Sequence, residues 1–546
     1  MSWPILRPWL FAGLSGILLP FSFPHFDLAW LAWIALVPLH LALSSLPPRR
    51  ALSIGWVAGL AAFIGIVWWV ITAMHVYGKM PLGPSYAVMV LLAGYLGLYV
   101  GLYAGGVSLL RGSNLPGLIV TAPSLWVALE LLRTYFLSGF PWELLGYSQY
   151  RWLTVIQMAD VTAVYGVSFL IVMVNVALAE LVAWAIPMTQ PAQSSREPFP
   201  LKPVLAAGVA LATALLYGSL RLNDQGAATG DRSIAIRLVQ ANIDQAHKWD
   251  AAYLLDTLDR YQRLSKDGSA GSDLIIWPEA ATPFLFEQQT PYRAEVSQLV
   301  KSQGVPLLFG SPARRYYENG APYNLNSAYL LDAEGLMAGR YDKQHLVPFG
   351  EYIPLKSSLL FFLEKLVEGI GDFEAGREPT VLTVPPKMAP LDAQTATTRS
   401  GPGARFGTVI CYEVIFPDLV RRFVDRGADF MVTITNDAWF GRSAAAAQHF
   451  SMVVFRAVEN RTAFARAANT GISGFIDRDG RIQQASPIFE EGAYTGRLRI
   501  GHSPTFYSKY GDVFAYGCAI IAAVFTLAAW RQGRREVRGE RRYAAG

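Results

Sequence analysis

The chain has 546 residues, 52% of them hydrophobic and only 16% charged, with a mean hydropathy of +0.28. That balance excludes an ordinary soluble enzyme and requires that part of the chain sit in lipid. A formal net charge of +5 is too small and too scattered to mark a nucleic-acid surface, and 2 cysteines exclude a disulfide framework.

A bilayer crossing takes roughly 20 apolar residues. Seven such runs open the chain: Trp9 to Phe23, Leu28 to Leu46, Leu52 to Met74, Tyr86 to Leu110, Leu118 to Tyr135, Val161 to Ile186 and Pro203 to Leu220. Val513 to Trp530 makes an eighth, so the expectation is a membrane bundle of about eight transmembrane helices. The first run is short, but no small-residue cleavage site follows it and "FPHFDLAW" leads straight into the next, so it reads as a span rather than a signal peptide. Lys and Arg gather on the cytoplasmic side of short loops. Arg7, Arg49, Arg50, Arg111, Arg196, Lys202 and the tail "RQGRREVRGERRYAAG" share one side if the spans alternate. Both termini are then cytoplasmic and the region from Arg221 to Lys509 lies outside, which in a bacterium with two membranes is the periplasm. The expected domains are 1–220 (seven helices), 221–509 (extramembrane), 510–530 (last helix) and 531–546 (basic tail).

The outer region alternates strand-like and helix-like segments. "SIAIRLVQANI", "DLIIWPE", "VPLLFGSPA", "NSAYLLDAEG", "TVICYEV" and "DFMVTITND" are β-branched or aromatic runs bounded by turn residues. "DAAYLLDTLDRYQRLSK" and "AAAAQHFSMVVFRAVENRTAFARAAN" read as helices, and in the second Phe450, Val454 and Val458 recur at helical spacing, a core stripe. An α/β layered domain follows. "VPPKMAPLDAQTATTRSGPGA" reads as a surface loop.

Polar residues stand where these strands run out. "IIWPEAATP" delivers Glu279 behind a proline, "GRYDKQHLVPFGEYIP" supplies Lys343 and Glu351, and "VICYE" supplies Cys411 and Glu413. Taken singly, each is a solvated loop charge or a core cysteine, as Cys518 is within its apolar run. Taken together, a carboxylate, an ammonium and a thiol are what covalent acyl chemistry needs: a base for the thiol and a donor for the oxyanion.

"WPE", then "YDKQHLVPFGEY", then "CYE", with "TNDAWFG" beyond, resembles the nitrilase superfamily. The resemblance covers the whole outer region. It implies a four-layer αββα sandwich, with Glu279 as general base and acid, Lys343 as oxyanion partner alongside the N–H of Tyr412, and Cys411 as nucleophile. Glu351 and Glu413 would be supporting carboxylates. With its membrane spans, the whole chain resembles the membrane-anchored branch that N-acylates bacterial lipoproteins. That implies ping-pong transfer through a Cys411 thioester, from a phospholipid such as phosphatidylethanolamine to the α-amine of a diacylglyceryl-cysteine, in the inner membrane, by a monomer without cofactor. The family also places a tryptophan like Trp249 near the lipid entrance, and an aromatic packed under a loop is the equal alternative for it.

Other substrate contacts are expected at Phe284, which either guards the acyl entrance or packs in the core. Phe362 lies in "PLKSSLLFFLEKLVEGIG", either a membrane-lying lid or a core-facing helix. Trp142 and Tyr147 of "GFPWELLGYSQY" read as an interfacial aromatic belt. A tethered C–N hydrolase fits the same triad, although eight spans are excessive for a tether. A transporter is disfavoured because Glu130 and Glu180 are the main ionisable residues in the spans. His247, His345 and His449 lack paired ligand spacing and no phosphate-binding glycine loop is present, so neither metal nor nucleotide is expected.

Overall fold

A computed structural model describes residues 3–113, 117–186, 198–224, 232–266, 271–353, 373–385, 403–501 and 503–543. The chain divides into two units, one of Met1–Trp68, Gly83–Asp224 and Asp512–Gly546, the other of Trp69–Leu82 and Gln225–Gly511.

The first unit is helical. Among the described residues five helices are long and apolar enough to cross a membrane: Pro48–Val67, Leu82–Arg111, Ala159–Ala185, Leu201–Asn223 and Val513–Arg535. Leu118–Tyr135 is helical but has only 18 residues and carries Glu130 and Arg133, and the apolar helix at Leu6–Phe21 is shorter still. The expected span from Leu28 to Leu46 is not one helix. It breaks into a 3-10 turn at Ala29–Trp33, an α-helix at Val37–Ala42 and a second 3-10 turn at Leu43–Ser45. Pro38, in the first turn of the middle piece, has no N–H with which to continue a helix from the preceding turn. Buried side chains take up the backbone groups this break frees. Asn175 accepts from Leu36 N and donates to Ala32 O, both at 2.9 Å, and Gln149 donates to Ala29 O at 2.9 Å. Broken backbone at membrane depth is tolerated only when satisfied in this way. Trp142 and Tyr147 are buried inside this unit rather than forming an interfacial belt. Trp142 stacks on Phe140 at 6.0 Å and its carbonyl accepts from Arg133 at 3.3 Å, so the "FPWELLGYSQ" segment is interior packing.

The second unit contains, among the described residues, twelve strands: β1 Ser233–Gln240, β2 Leu274–Ile276, β3 Leu307–Tyr316, β4 Pro322–Leu331, β5 Met337–Asp342, β6 Val381–Thr383, β7 Arg405–Ile410, β8 Phe430–Thr435, β9 Phe464–Ala468, β10 Gly474–Ile476, β11 Ile482–Ala485 and β12 Gly492–Arg499. They form two six-stranded sheets, ordered β12-β1-β2-β3-β4-β5 and β11-β10-β9-β8-β7-β6. Neighbours β1-β2-β3 run parallel, as do β7-β8-β9. The parallel strands are continuous apolar runs because both faces are covered: every residue of β8 is buried. The sheets pack on each other. Helices Leu254–Lys266 and Thr290–Gln303 lie on the first, Pro417–Asp425 and Ala445–Asn460 on the second. This is the expected αββα sandwich.

All six expected strands are present, and two expectations change. The second predicted helix stops at Asn460, where Arg461 turns left-handed (φ 47°), and "FARAA" becomes β9, paired with β8 from Met431↔Phe464 to Thr435↔Ala468. The third predicted span is one α-helix as far as Val67 and then continues as short turns, α at Val70–Thr72 and π at Ala73–Tyr77. Residues 69–82 belong to the second unit, where Trp69 meets Phe440 at 4.7 Å and Tyr77 meets Trp439 at 5.9 Å.

Candidate active site

In an open α/β arrangement the carboxyl ends of parallel strands present free main-chain groups and loops, and sites collect there. β2 ends at Ile276, and Trp277-Pro278-Glu279 continues along β3: Trp277 N donates to Leu308 O at 2.8 Å and Gly310 N to Pro278 O at 3.1 Å. Pro278 has no N–H to extend the ladder, and Ala280 turns left-handed (φ 48°), which leaves the Glu279 side chain at the edge. The turn lies flat on Gly310, where a Cβ would meet Ala280 N at 2.5 Å and Glu279 Cα at 2.7 Å. Lys343 follows β5, its N–H donating to Asn326 O at 2.8 Å and its carbonyl accepting from Gly376 N at 2.7 Å. Cys411 follows β7 with φ 52°, half-buried, at the start of a 3-10 turn.

These groups converge. Lys343 Nζ lies 2.9 Å from Glu351 Oε1 and 3.6 Å from Glu279 Oε1. Asn326 Nδ2 donates to both carboxylates, at 2.8 Å each. The other oxygen of Glu279 accepts from Asn436 N at 2.9 Å. Glu351 is itself fixed, its Oε2 accepting from Val347 N at 2.8 Å. Glu413 is buried and accepts four hydrogen bonds, from Tyr341 Oη, Gln344 N and Ile410 N at 2.7 Å and from His345 N at 3.1 Å. It thereby ties the loop after Lys343 to the strand that carries Cys411. Tyr412 is buried, its ring meeting Phe416 at 5.2 Å.

Charge follows geometry. Burial pushes the Cys411 thiol up, Glu279 adds to that, and Lys343 opposes it, with a net rise. The resting sulfur is therefore a thiol rather than a thiolate. Burial works against the Lys343 ammonium, but Glu351 and Glu279 outweigh it and its pKa is raised, so Lys343 stays charged. Burial pushes Glu413 up to about 7, against its four donors.

Behind Cys411 stands a second polar cluster. His449 Nε2 donates to Cys411 O at 3.1 Å, and its Nδ1 lies 3.0 Å from Asp437 Oδ1 and 3.1 Å from Arg466 Nη2. Burial and Arg466 lower the His449 pKa, and Asp437 opposes them. Arg466 Nη2 donates to Asp437 Oδ2 at 2.8 Å, and both side chains are fully buried.

The sequence expectations thus separate. Glu279, Lys343, Glu351, Cys411 and Glu413 come together, with Tyr412 beside them. Trp249 is half-buried in the loop after β1. Phe284 is core, packed against Tyr292 at 5.3 Å rather than guarding an entrance. Trp142 belongs to the first unit, and Phe362 lies outside the described residues. Sequence reasoning missed Asn326, Asn436, Asp437, Arg466 and Lys248. Asn326 lies within a segment read only as a strand, and Asn436 and Asp437 lie in "TNDAWFG", quoted for the resemblance but given no role. Lys248 sits beside Trp249 in "AHKWD", where a lone lysine gives no signal.

The sandwich defines a carbon-nitrogen hydrolase domain, and that family's profile matches residues 235–502. The apolipoprotein N-acyltransferase N-terminal domain matches residues 15–177. The chain is 43% identical over 530 residues to the apolipoprotein N-acyltransferase of Geobacter metallireducens, covering 96% of each, and 33% identical over 552 residues to that of Chlorobaculum tepidum, again 96% of each. A Nesterenkonia amidase crystal structure is 20% identical, covering 52% of this chain and 95% of that one, with a TM-score of 0.35. The chain belongs to the apolipoprotein N-acyltransferase family. It is a membrane protein and an acyltransferase.

Proposed function

We propose that this chain transfers an acyl group from a phospholipid, such as phosphatidylethanolamine, to the α-amine of a diacylglyceryl-cysteine on an apolipoprotein, the last step of lipoprotein maturation. The observation that carries the mechanism is the meeting of Glu279, Lys343 and Cys411 at the strand ends of two sheets. Glu279 takes the thiol proton as Cys411 Sγ attacks the ester carbonyl. The oxyanion forms beside Lys343 and the N–H of Tyr412, with Glu351 holding Lys343 in place. As the C–O bond breaks, Glu279 returns the proton to the departing lysophospholipid oxygen. In the second half, the lipoprotein amine attacks the thioester, gives its proton to Glu279, and the C–S bond breaks to restore the thiol.

Both substrates carry acyl chains, and burying or exposing each CH₂ is worth roughly 0.8 kcal/mol, so a site on a membrane-anchored chain spares their extraction into water. The orientation that suits this is an inner-membrane monomer with residues 221–509 in the periplasm and both termini cytoplasmic. Trp249, half-buried in the loop after β1, is available to line the lipid's path.

Intact-protein mass tests the reading. With phospholipid alone the protein should gain one acyl chain on Cys411, removable by hydroxylamine, and a diacylglyceryl-cysteine peptide should discharge it as an N-acyl product. Cys411→Ala should gain nothing. An adduct on Cys518, or discharge to water as fast as to the peptide, overturns the assignment.

A further inference from the structure

A second lysine is built into the same end of the sandwich. Lys248, in the loop after β1, is only 2% exposed, and its Nζ donates to the main-chain carbonyl of Glu279 at 3.0 Å. Among the described residues that carbonyl is its one hydrogen-bond partner, and it forms no ion pair. Most buried ammonium groups are paired, because an unpaired one costs several kcal/mol in lost hydration. Lys343 is paired, with Glu351 at 2.9 Å. Burial lowers Lys248 to about 8, while Glu279, and Cys411 whenever it is ionised, pull it back up, so the ammonium is coupled to both groups.

The carbonyl it caps matters. Glu279 sits between a proline without an N–H and the left-handed Ala280, and the turn is otherwise hung from β3 through Gly310. A neutral amide would cap that carbonyl at lower desolvation cost, so charge is what a lysine adds. When the thiol gives its proton to Glu279, negative charge moves from a carboxylate held by two asparagines to sulfur and then to the oxyanion. Glu351 already occupies Lys343, whereas Lys248, among the described residues, has no carboxylate within ion-pair distance.

We propose that Lys248 is a positioning residue for acyl transfer, holding Glu279 through its main-chain carbonyl and supplying unpaired positive charge that favours the Cys411 thiolate during attack. This rests on Cys411 as nucleophile. The test uses full-length protein in detergent with Cys518→Ser, comparing Lys248→Gln and Lys248→Arg with the parent. Two readouts are taken: iodoacetamide alkylation of Cys411 against pH, and the rate of adduct formation at varied phosphatidylethanolamine. Lys248→Gln keeps a donor for the carbonyl but no charge. It should form the adduct at least tenfold more slowly at unchanged KM and alkylate with its midpoint at higher pH. Lys248→Arg should recover most of the rate, with its midpoint below the parent's at alkaline pH because the guanidinium keeps its charge. A glutamine variant within twofold of the parent with an unshifted midpoint overturns the proposal. So do equal losses in both variants without a shift, which is the signature of a purely structural role. Should Lys248→Gln not fold, Lys248→Arg decides alone, and an alkylation profile identical to the parent's overturns the proposal. A parent that forms no Cys411 adduct defeats the nucleophile instead, and the alkylation comparison still reads the charge of Lys248.

Discussion

The carboxylate of Glu279 accepts the main-chain N–H of Asn436 at 2.9 Å, although Glu279 follows β2 in one sheet and Asn436 follows β8 in the other. Glu279 is thus referenced to the sheet that carries Cys411, and sliding one sheet on the other would misplace it. Asn326 completes the arrangement by donating to Glu279 and Glu351 at once.

Asn326→Ala should therefore fold and yet transfer poorly. Hydrogen bonds to charged groups are worth roughly 1.5–3 kcal/mol, so adduct formation should slow by roughly 10- to 100-fold with little change in KM. The measurement is single-turnover acylation of Cys411 beside a thermal unfolding curve. A parental rate would remove Asn326 from the site.

Gly310→Ala addresses Glu279 from below. The new methyl would stand 2.5 Å from Ala280 N and 2.7 Å from Glu279 Cα, and both are main-chain atoms that cannot swing aside. The turn must lift. Because geometry at a reacting centre is worth about 10²-fold per ångström of misplacement, activity should fall by roughly that factor or more while the membrane helices still assemble. Normal turnover by the alanine variant would mean that the turn is not the register of the base.

Asp437 offers a pH test. Burial would raise its pKa, but Arg466 and His449 outweigh that and hold the carboxyl at about 2. A folded value below the unfolded one, roughly 3.9, means that the contribution is complete above about pH 4 and is lost as pH falls toward 2. Its size is on the order of 2 kcal/mol. Asp437→Asn leaves Arg466 buried without its partner and should cost about 3–5 kcal/mol at neutral pH, with the gap to the parent narrowing in acid. Denaturant titrations of both proteins between pH 3 and 7 check this, and a gap that does not change with pH would contradict it.

How far the site was readable from sequence follows from what fixes each residue. Glu279 and Cys411 announce themselves because each follows an apolar strand end, whereas Lys343 follows β5, "MAGRYD", which carries charges of its own, and stands out only through the resemblance of "YDKQHLVPFGEY". Glu413 came with Cys411. The asparagines were hidden because Asn at a strand end is ordinary turn chemistry, and only the pairing of two sheets across 157 residues shows that Asn436 serves Glu279. β9 was hidden because "FARAA" carries the same helix-compatible residues as the segment before it, and what stops the helix is the left-handed Arg461. Trp142 was misread because an aromatic beside proline and glycine looks interfacial until Arg133 is seen taking its carbonyl.

The orientation of the chain gives the last prediction. If the basic residues Arg49, Arg50, Arg111 and those beyond Trp530 are cytoplasmic, as the bias of short loops requires, the acyl-transfer site faces the periplasm. In a Cys518→Ser background, a cysteine introduced at exposed Ser302 should react with an impermeant maleimide once the outer membrane is permeabilised. One introduced at Gly533 should react only after the inner membrane is breached. Labelling at Gly533 in intact inner membrane, with Ser302 protected, would invert the chain. The phospholipid donor and the lipoprotein amine would then have to be sought in the cytoplasmic leaflet.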